Sequence, residues 1–330
     1  MRFLVALSLL FTGPIFAGEK PTLNVYTYDS FSSEWGPGPK IEQAFEAICE
    51  CDLKFVSVDS STGILSRVQL EGDGSSADIV LGLDNSLIVD AQKTGLIAPH
   101  GIDMTPLNLP LAWNNKSFLP FDFGYFAFIY NTETNPNPPT SFMQLIEADN
   151  DLKIVIQDPR SSTPGLGLML WMKSVYGDKA AEAWKRLQPR ILTVTKGWSE
   201  AYGMFLEGEA DMVLSYTTSP AYHMIVENES KYQAASFSEG HGMQIEVAAK
   251  LKNAPNPELA DQFMQFILGQ DFQSIIPTGN WMFPVISLDD GLPETFTKLM
   301  NPSSSLLIDA EQIVENKRDW IDEFNQALSK

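Results

Sequence analysis

The chain is poor in basic residues and in the residues that build metal sites. Only 22 Lys and Arg stand against 42 Asp and Glu among 330 residues, which gives a formal net charge of −20. A nucleic-acid-binding protein needs a basic surface to meet the phosphate backbone, so this balance argues against that class. The three histidines are far apart in sequence, and no CxxC, HExxH or Cys/His ladder is present. We therefore expect no metal site.

Long apolar runs are also missing. Residues 3–11 are apolar except for Ser8, and no later stretch approaches the about 20 apolar residues that a membrane-spanning helix needs. This short run follows Met1-Arg2 and precedes the small residue Ala17, a pattern typical of a signal peptide. We expect cleavage near Ala17, removal of residues 1–17, and export of the protein to the periplasm. A buried N-terminal helix is the alternative.

The chain has two cysteines, Cys49 and Cys51, which are too few for a disulfide scaffold. In an oxidising compartment, neighbouring thiols tend to pair. A bridge across a single residue requires a tight backbone turn, because the two Cα atoms must lie close together. The spacing therefore predicts a local clip where a helix ends, with two buried free thiols as the alternative.

Short apolar segments alternate with segments of helical spacing. In the first part of the chain, the order strand, helix, strand, helix, strand predicts a parallel sheet flanked by helices. The predicted elements are strands at 23–28, 53–58 and 77–82 and helices at 40–49 and 64–70. Ligands of such sheets bind at the carboxyl ends of the strands.

The aromatic run at residues 121–131, FDFGYFAFIYN, predicts a strand that is buried on both faces and connects two lobes. A second α/β series follows it. Its predicted elements are strands at 153–157, 191–195 and 211–216 and helices that begin near Thr163, Ser199 and Ser219. A further strand at 246–249 could return the chain to the first lobe, and residues 308–328 have helical spacing.

Three helix starts in the second series share a design. Thr163 stands at a plausible N-cap with Pro164 at the first helical position, and the glycines that follow let a ligand approach the free amides. The helix dipole favours an anion at such a site. An ordinary capped helix is the alternative.

The other two starts are rich in aromatic and hydroxyl side chains. Trp198 lies at one strand-to-helix turn, and the segment from Tyr216 to Tyr222 forms the other. Any one of these aromatics is better explained as a core residue, but three such turns in one half indicate a binding cleft. With Tyr28 and Trp281 they suggest aromatic walls, which suit a flat, cationic ligand.

A family pattern extends over nearly the whole chain. The segments that carry it are 25–31, 35–39, 80–85, 123–128, 157–160, 162–167, 195–203, 214–222 and 276–281. In these segments the sequence resembles the periplasmic thiamine-binding proteins of ABC importers. The resemblance implies an α/β fold of the two-lobed periplasmic binding protein type (type II-like). Each lobe would be a sheet flanked by helices, with the ligand cleft between the lobes.

The resemblance also implies a division of the chain and a ligand. Lobe I would comprise residues 18–123 and 249–330, and lobe II residues 124–248. The ligand would be thiamine, thiamine phosphate or thiamine diphosphate, delivered to a membrane permease. We expect a monomer that uses no cofactor and has no catalytic residues.

The family's binding positions map onto twelve residues of this chain. They are Tyr28, Ser60, Ser61, Ser162, Thr163, Trp198, Tyr216, Thr217, Thr218, Ser219, Tyr222 and Trp281. The loop from Asp59 to Thr62 departs from the family pattern, in which an Asp-Gly pair is common. Which residue of this loop contacts the ligand is therefore left open.

Two other functions remain as alternatives. A binding protein for another cation, such as a polyamine or ferric iron, would share the acidic charge and the tyrosines. An exported hydrolase would need an activated nucleophile. The sequence has no GxSxG elbow, and no histidine has an obvious serine partner.

Overall fold

The computed structural model describes residues 20–149 and 151–329. The predicted signal peptide, residues 1–17, lies outside the described residues. The described chain forms eleven strands, numbered in chain order. They are β1 Thr22–Tyr28, β2 Asp52–Val58, β3 Ile79–Asp84, β4 Leu119–Asn131, β5 Ile154–Gln157, β6 Ile191–Thr195, β7 Met212–Tyr216, β8 Tyr232–Ala234, β9 His241–Lys250, β10 Phe283–Pro284 and β11 Ser305–Leu306.

Helices cover the sheet, and several are single turns. They are α1 Asp29–Ser32, α2 Gly38–Cys49, α3 Ser61–Glu71, α4 Ile88–Lys93, α5 Phe142–Glu147, α6 Thr163–Tyr176, α7 Ala180–Leu187, α8 Trp198–Leu206, α9 Pro220–Tyr222, α10 Pro257–Ile267, α11 Gln270–Gln273, α12 Ile276–Gly279 and α13 Ala310–Leu328. The helix predicted to begin near Ser219 has only three residues before the backbone changes to a π-helical turn, His223–Glu227.

The strands form a mixed sheet in the order β2-β1-β3-β9-β4-β7-β5-β6. The predicted parallel arrangement of the first three strands is confirmed, because β1 pairs in parallel with both β2 and β3. The returning strand β9 is longer than predicted. It runs antiparallel between β3 and β4, so the sheet is not parallel throughout.

Strand β4 joins the two halves of the molecule. Its first part, through Tyr125, pairs with β9, whereas the part from Phe126 to Tyr130 pairs with β7. The side chains of β4 also divide between two hydrophobic cores. Phe121 packs in one large apolar cluster, and Phe128 packs in another. The predicted connecting strand, buried on both faces, is confirmed. The exact lobe boundaries, 18–123 with 249–330 against 124–248, stay a prediction.

The C-terminal helix α13 touches both halves. Near its C-terminus, the ring of Phe324 packs edge-on against Trp184 of α7, with the ring centres 4.9 Å apart. Nearer its start, Lys317 forms an ion pair with Asp90 of α4. Helix α13 therefore packs across the boundary between the two apolar clusters.

The predicted clip between the two cysteines is present. Cys49 and Cys51 form a disulfide at the point where α2 ends, and Glu50 between them has a φ of 52°. This left-handed conformation reverses the chain after the helix and lets β2 begin at Asp52. The bridge closes a very small loop, so it acts locally on the end of α2.

Candidate functional site

Two helix N-termini from opposite halves of the sheet meet at the centre of the molecule. Ser61 is the first residue of α3, and Thr163 is the first residue of α6. The Thr163 hydroxyl donates a hydrogen bond to Ser61 Oγ over 3.0 Å. The side chain of Ser60 caps α3 by accepting a hydrogen bond from the Gly63 amide at 3.2 Å. Both helices thus direct their positive dipole ends toward one place, which favours an anion there.

The predicted N-cap of α6 is wrong by one residue. Ser162, not Thr163, occupies the cap position, and Pro164 is the second helical residue. The Ser162 side chain is buried but makes no capping hydrogen bond. The hydroxyls at this helix start therefore do not serve the cap that the sequence suggested.

An ion pair also joins the loops that precede α3 and α8. Lys196 binds Asp59, and both side chains are about two-thirds exposed. Such an exposed pair contributes little to stability, but it holds a cation beside the helix starts.

Trp198 is held by hydroxyl groups at the end of β7 and in the turn that follows it. Its indole Nε1 donates to Ser215 Oγ over 2.7 Å, and Ser215 Oγ lies 2.7 Å from Ser219 Oγ. Ser219 Oγ also accepts from the Tyr216 amide at 3.2 Å. The Trp198 ring stacks on Tyr202, with the ring centres 4.9 Å apart. One face of the indole is therefore fixed by the protein.

Two threonines in the same turn have unsatisfied hydroxyls. Thr217 and Thr218 are fully buried, and within the described chain the Oγ1 atom of each lacks a hydrogen-bond partner. A buried hydroxyl without a partner costs about 1–3 kcal/mol, and such groups in folded proteins call for an explanation. A bound polar ligand would supply the missing partner.

Tyr222 and Trp281 form an aromatic pair. Their rings pack edge-on with centres 5.3 Å apart, and Tyr222 is 38% exposed. Trp281 has a φ of 56°, a region that large residues avoid at a cost of order 1–3 kcal/mol. This conformation follows α12 directly and turns the chain toward β10.

Tyr28 enters a polar network with Glu246 and Asn280. Its hydroxyl donates to Glu246 Oε2 over 2.7 Å and lies 3.0 Å from Asn280 Nδ2. Burial first, and then the charges of Glu246 and Asp122, raise the pKa of Tyr28 well above its usual value. The phenol therefore stays protonated and acts as a donor.

The network continues to Tyr216. Gln244 donates from Nε2 to Glu246 Oε1 over 3.1 Å, and the Tyr216 hydroxyl donates to Gln244 Oε1 over 2.9 Å. Asn280 Nδ2 donates to Asp122 Oδ2 over 2.6 Å. Predicted residues from β1 and β7 are thus linked through β9.

Sequence reasoning missed Asp122, Gln244, Glu246 and Asn280. A signal was available for Asp122, because it is the only charged residue in the run FDFGYFAFIYN. Carboxylates are almost never fully buried unless they are paired, so a charge inside a strand buried on both faces indicates function. Asn280 adjoins Trp281 but has no distinguishing pattern of its own.

The twelve predicted residues therefore fall into groups with different kinds of contact. Ser61 meets Thr163, Tyr216 meets Ser219, and Tyr222 meets Trp281. Ser60 and Ser162 occupy the caps of α3 and α6.

Residues 20–149 and 151–329 contain neither a cluster of metal ligands nor a membrane-spanning helix. No group of three or more His, Cys, Asp or Glu side chains is arranged to hold a metal ion. No helix in this part of the chain has the length and apolar character needed to cross a membrane.

Comparison with known proteins gives close and extensive similarity. The sequence profile described as bacterial extracellular solute-binding protein matches residues 37–274. A protein of Escherichia coli (strain K12) named thiamine-binding periplasmic protein is 52% identical, and the match covers 98% of each chain.

Solved structures agree with the sequence comparison. A structure described as periplasmic thiamin binding protein has a TM-score of 0.92 at 51% identity, covering 94% of this chain and 97% of that one. The ferric binding protein from Campylobacter jejuni has a TM-score of 0.77 at 20% identity, covering 92% and 99%. The second likeness concerns the fold alone, and both neighbours have the two-lobed α/β architecture that the sequence predicted.

Proposed function

Since the chain belongs to the family of bacterial extracellular solute-binding proteins, we propose that it captures thiamine in the periplasm as the solute-binding component of an ABC importer. The observation that carries the proposal is the sequence similarity to proteins named for thiamine binding, which extends over nearly the whole chain at 45–52% identity. The described site supports it with aromatic rings from both halves of the molecule. These rings suit a flat cation, which gains from contact with aromatic faces.

The mechanism requires binding without covalent chemistry. In the proposal, Trp198, Tyr216, Tyr222 and Trp281 hold the rings of the ligand, and Thr217 and Thr218 supply hydroxyls. Closure of the two halves excludes water, and opening at a membrane permease releases the ligand. The chain would act as a monomer without a cofactor or catalytic residues, after cleavage of its signal peptide near Ala17.

We extend the proposal to thiamine phosphate and thiamine diphosphate. Support comes from the two helix N-termini that meet at Ser61 and Thr163. Free amides, hydroxyls and the helix dipoles converge there on the position that an anion would take. Lys196 stands beside them and could turn from Asp59 to a phosphate.

Calorimetric titration of the processed protein tests the function directly. Thiamine and its two phosphates should each bind with one site per chain and should quench tryptophan emission. Spermidine and ferric iron serve as the competing cations. Binding of spermidine, or a charge-transfer colour with ferric iron, in a protein that ignores thiamine would contradict the proposal.

A further inference from the structure

Three buried carboxyl groups stand side by side across three neighbouring strands. Glu246 of β9 is the register partner of Asp84 at the end of β3 and of Asp122 in β4. Residues that are directly opposite in antiparallel strands lie on the same face of the sheet. The side chains of Asp84, Asp122 and Glu246 are at most 5% exposed. We refer to these three residues as the acidic row.

No cationic side chain neutralises the acidic row. Within residues 20–149 and 151–329, none of the three carboxyl groups takes part in an ion pair with Lys, Arg or His. Lys317 of α13 acts on Asp84 only weakly and is itself bound to Asp90. An isolated buried carboxylate is so costly that the group keeps its proton instead.

Neutral groups donate hydrogen bonds to the carboxyl groups of the acidic row, but some carboxyl oxygens receive none from the described residues. Asp84 Oδ1 accepts from the Ser86 amide at 2.7 Å, and Asp122 Oδ2 accepts from Asn280. In the described chain Asp84 Oδ2 and Asp122 Oδ1 receive no hydrogen bond. One oxygen of each of these buried carboxyl groups thus lacks a close hydrogen-bond donor in this part of the chain, although the Thr163 hydroxyl lies near Asp84 and the Glu246 carboxyl lies near Asp122.

The protonation of the acidic row follows from this burial. Burial raises the pKa of Asp122 to about 7, although hydrogen bonds with Asn280 and Glu246 lower it. Burial, and then the charge of Asp122, raise the pKa of Glu246 well above its usual value. Burial raises the pKa of Asp84 as well. The neighbouring carboxyl groups of Asp122 and Glu246 therefore retain a shared proton to a higher pH than isolated carboxyl groups do.

The other groups that face the acidic row do not titrate near neutral pH. Tyr28 of β1 and Tyr216 of β7 lie beside it, and burial raises the pKa of both phenols well above the usual value. Thr163 of α6 approaches Asp84, and Asn280 precedes Trp281. The acidic row is consequently surrounded by residues that the proposed thiamine site already includes.

We propose that the acidic row is the charge-recognition part of this site, and that an organic cation bound against it displaces a proton to solvent. The inference rests on the proposed function, because thiamine carries a permanent positive charge on its thiazolium ring. The exchange is balanced: the protonated site and the cation give the ionised site with its cation and one free proton. The ligand thereby neutralises a buried charge that the chain leaves without a partner.

This exchange makes affinity depend on pH. The cation binds the ionised site, so its affinity should rise with pH while the empty site still holds the proton. The slope approaches tenfold per pH unit when one proton is released for each ligand bound.

Calorimetric titration of thiamine near pH 7 in Pipes, Hepes and Tris buffers counts the released protons, because the buffers differ in ionisation enthalpy. We expect about one proton to be released by the natural protein. Glu246→Gln keeps the size of the side chain and removes one of the two coupled carboxyl groups. It should reduce proton release clearly below that of the natural protein and weaken thiamine binding at least tenfold, and Asp122→Asn serves as a second variant if Glu246→Gln does not fold.

Asp78→Asn is the matched control. Asp78 is also buried, and burial raises its pKa. Its carboxylate accepts hydrogen bonds from the backbone amides of Asn24 and Asn256, away from the acidic row. This variant should release as many protons on binding as the natural protein.

The outcomes separate the inference from the function. Thiamine binding with the same heat in all three buffers would overturn the inference and leave thiamine binding intact. Proton release that persists in both Glu246→Gln and Asp122→Asn would also overturn it. Absence of thiamine binding by the natural protein would overturn both.

Discussion

At the scale of single residues, Trp198 is an aromatic of the proposed site that the protein holds in one orientation. Its indole nitrogen is bound to Ser215, and one ring face is covered by Tyr202. An aromatic side chain held in this way loses little entropy on binding, which is typical of residues that dominate an affinity.

We therefore expect Trp198→Ala to weaken thiamine binding by roughly 2 kcal/mol or more. Calorimetric titration measures the change, and the tryptophan quenching on binding should become smaller, since Trp281 remains. Trp320→Ala on α13 is the control, because that ring contacts Lys173 and lies outside the proposed site. A folded Trp198→Ala protein with natural affinity would remove Trp198 from the site.

Asp122 gives a prediction that needs no ligand. Burial raises its pKa to about 7, whereas an aspartate in an unfolded chain titrates near pH 3.9. Between these values the folded protein holds a proton that the unfolded chain has lost. The stabilising contribution of this group to the free energy of unfolding is thus greatest below about pH 4 and decreases as the pH rises to about 7.

Asp122→Asn should make stability depend less on pH. The fall in the free energy of unfolding between pH 5 and pH 8 should shrink by on the order of 1–3 kcal/mol. Urea unfolding of the ligand-free protein at both pH values measures it. The exposed Asp319→Asn should behave as the natural protein does. An unchanged pH dependence in Asp122→Asn would show that Asp122 is ionised throughout this range.

At the scale of secondary-structure elements, the starts of α3 and α6 form the anion-binding part of the proposed site. Their first residues touch through the Thr163 and Ser61 hydroxyls. Because the Ser162 side chain makes no capping bond, replacing both hydroxyls at the start of α6 removes little helix stability. Their removal therefore tests ligand binding more cleanly than the sequence suggested.

The Ser162→Ala/Thr163→Ala double variant should lose more affinity for thiamine phosphate than for thiamine. The difference should be about 1–3 kcal/mol, the scale of one or two charge-assisted hydrogen bonds. Titration of both ligands into the same folded variant measures it. Equal losses would show that this helix start does not recognise the phosphate.

A true cap elsewhere in the chain provides the control for that experiment. The Ser141 hydroxyl accepts from the Gln144 amide at 3.0 Å at the start of α5. Ser141→Ala should cost about 1 kcal/mol of stability. Its affinity for thiamine and for thiamine phosphate should be unchanged.

At the scale of the whole molecule, the formal net charge of −20 affects how fast a charged ligand associates with the protein. A strongly negative surface attracts a cation and repels an anion, and salt screens both effects. Thiamine is a cation, whereas thiamine diphosphate has a net negative charge near neutral pH. The two ligands therefore experience opposite long-range forces.

We expect the association rate constant of thiamine to fall as sodium chloride is raised, and that of thiamine diphosphate to rise. Stopped-flow tryptophan fluorescence measures both rates, and each ligand is the control for the other. A change of the same sign for both ligands would show that the overall field does not guide binding.

The local sequence determined most of the elements of this protein. Alternation of apolar residues, and helical spacing such as that of Ile41 and Phe45, depend only on neighbours along the chain. The clip between Cys49 and Cys51 is equally local. The observed element boundaries differ from the predicted ones by a few residues, and the N-cap of α6 is Ser162 instead of Thr163.

Only the tertiary structure decided which residues share a site. Asp84, Asp122 and Glu246 are far apart in the chain, and no sequence pattern groups the three together. The antiparallel insertion of β9 between β3 and β4 sets them side by side. Strand pairing of this kind is fixed by the packing of the whole sheet. The sequence therefore determined the kinds of side chain in the proposed site, whereas the buried carboxyl groups beside them were brought together by the order of the strands.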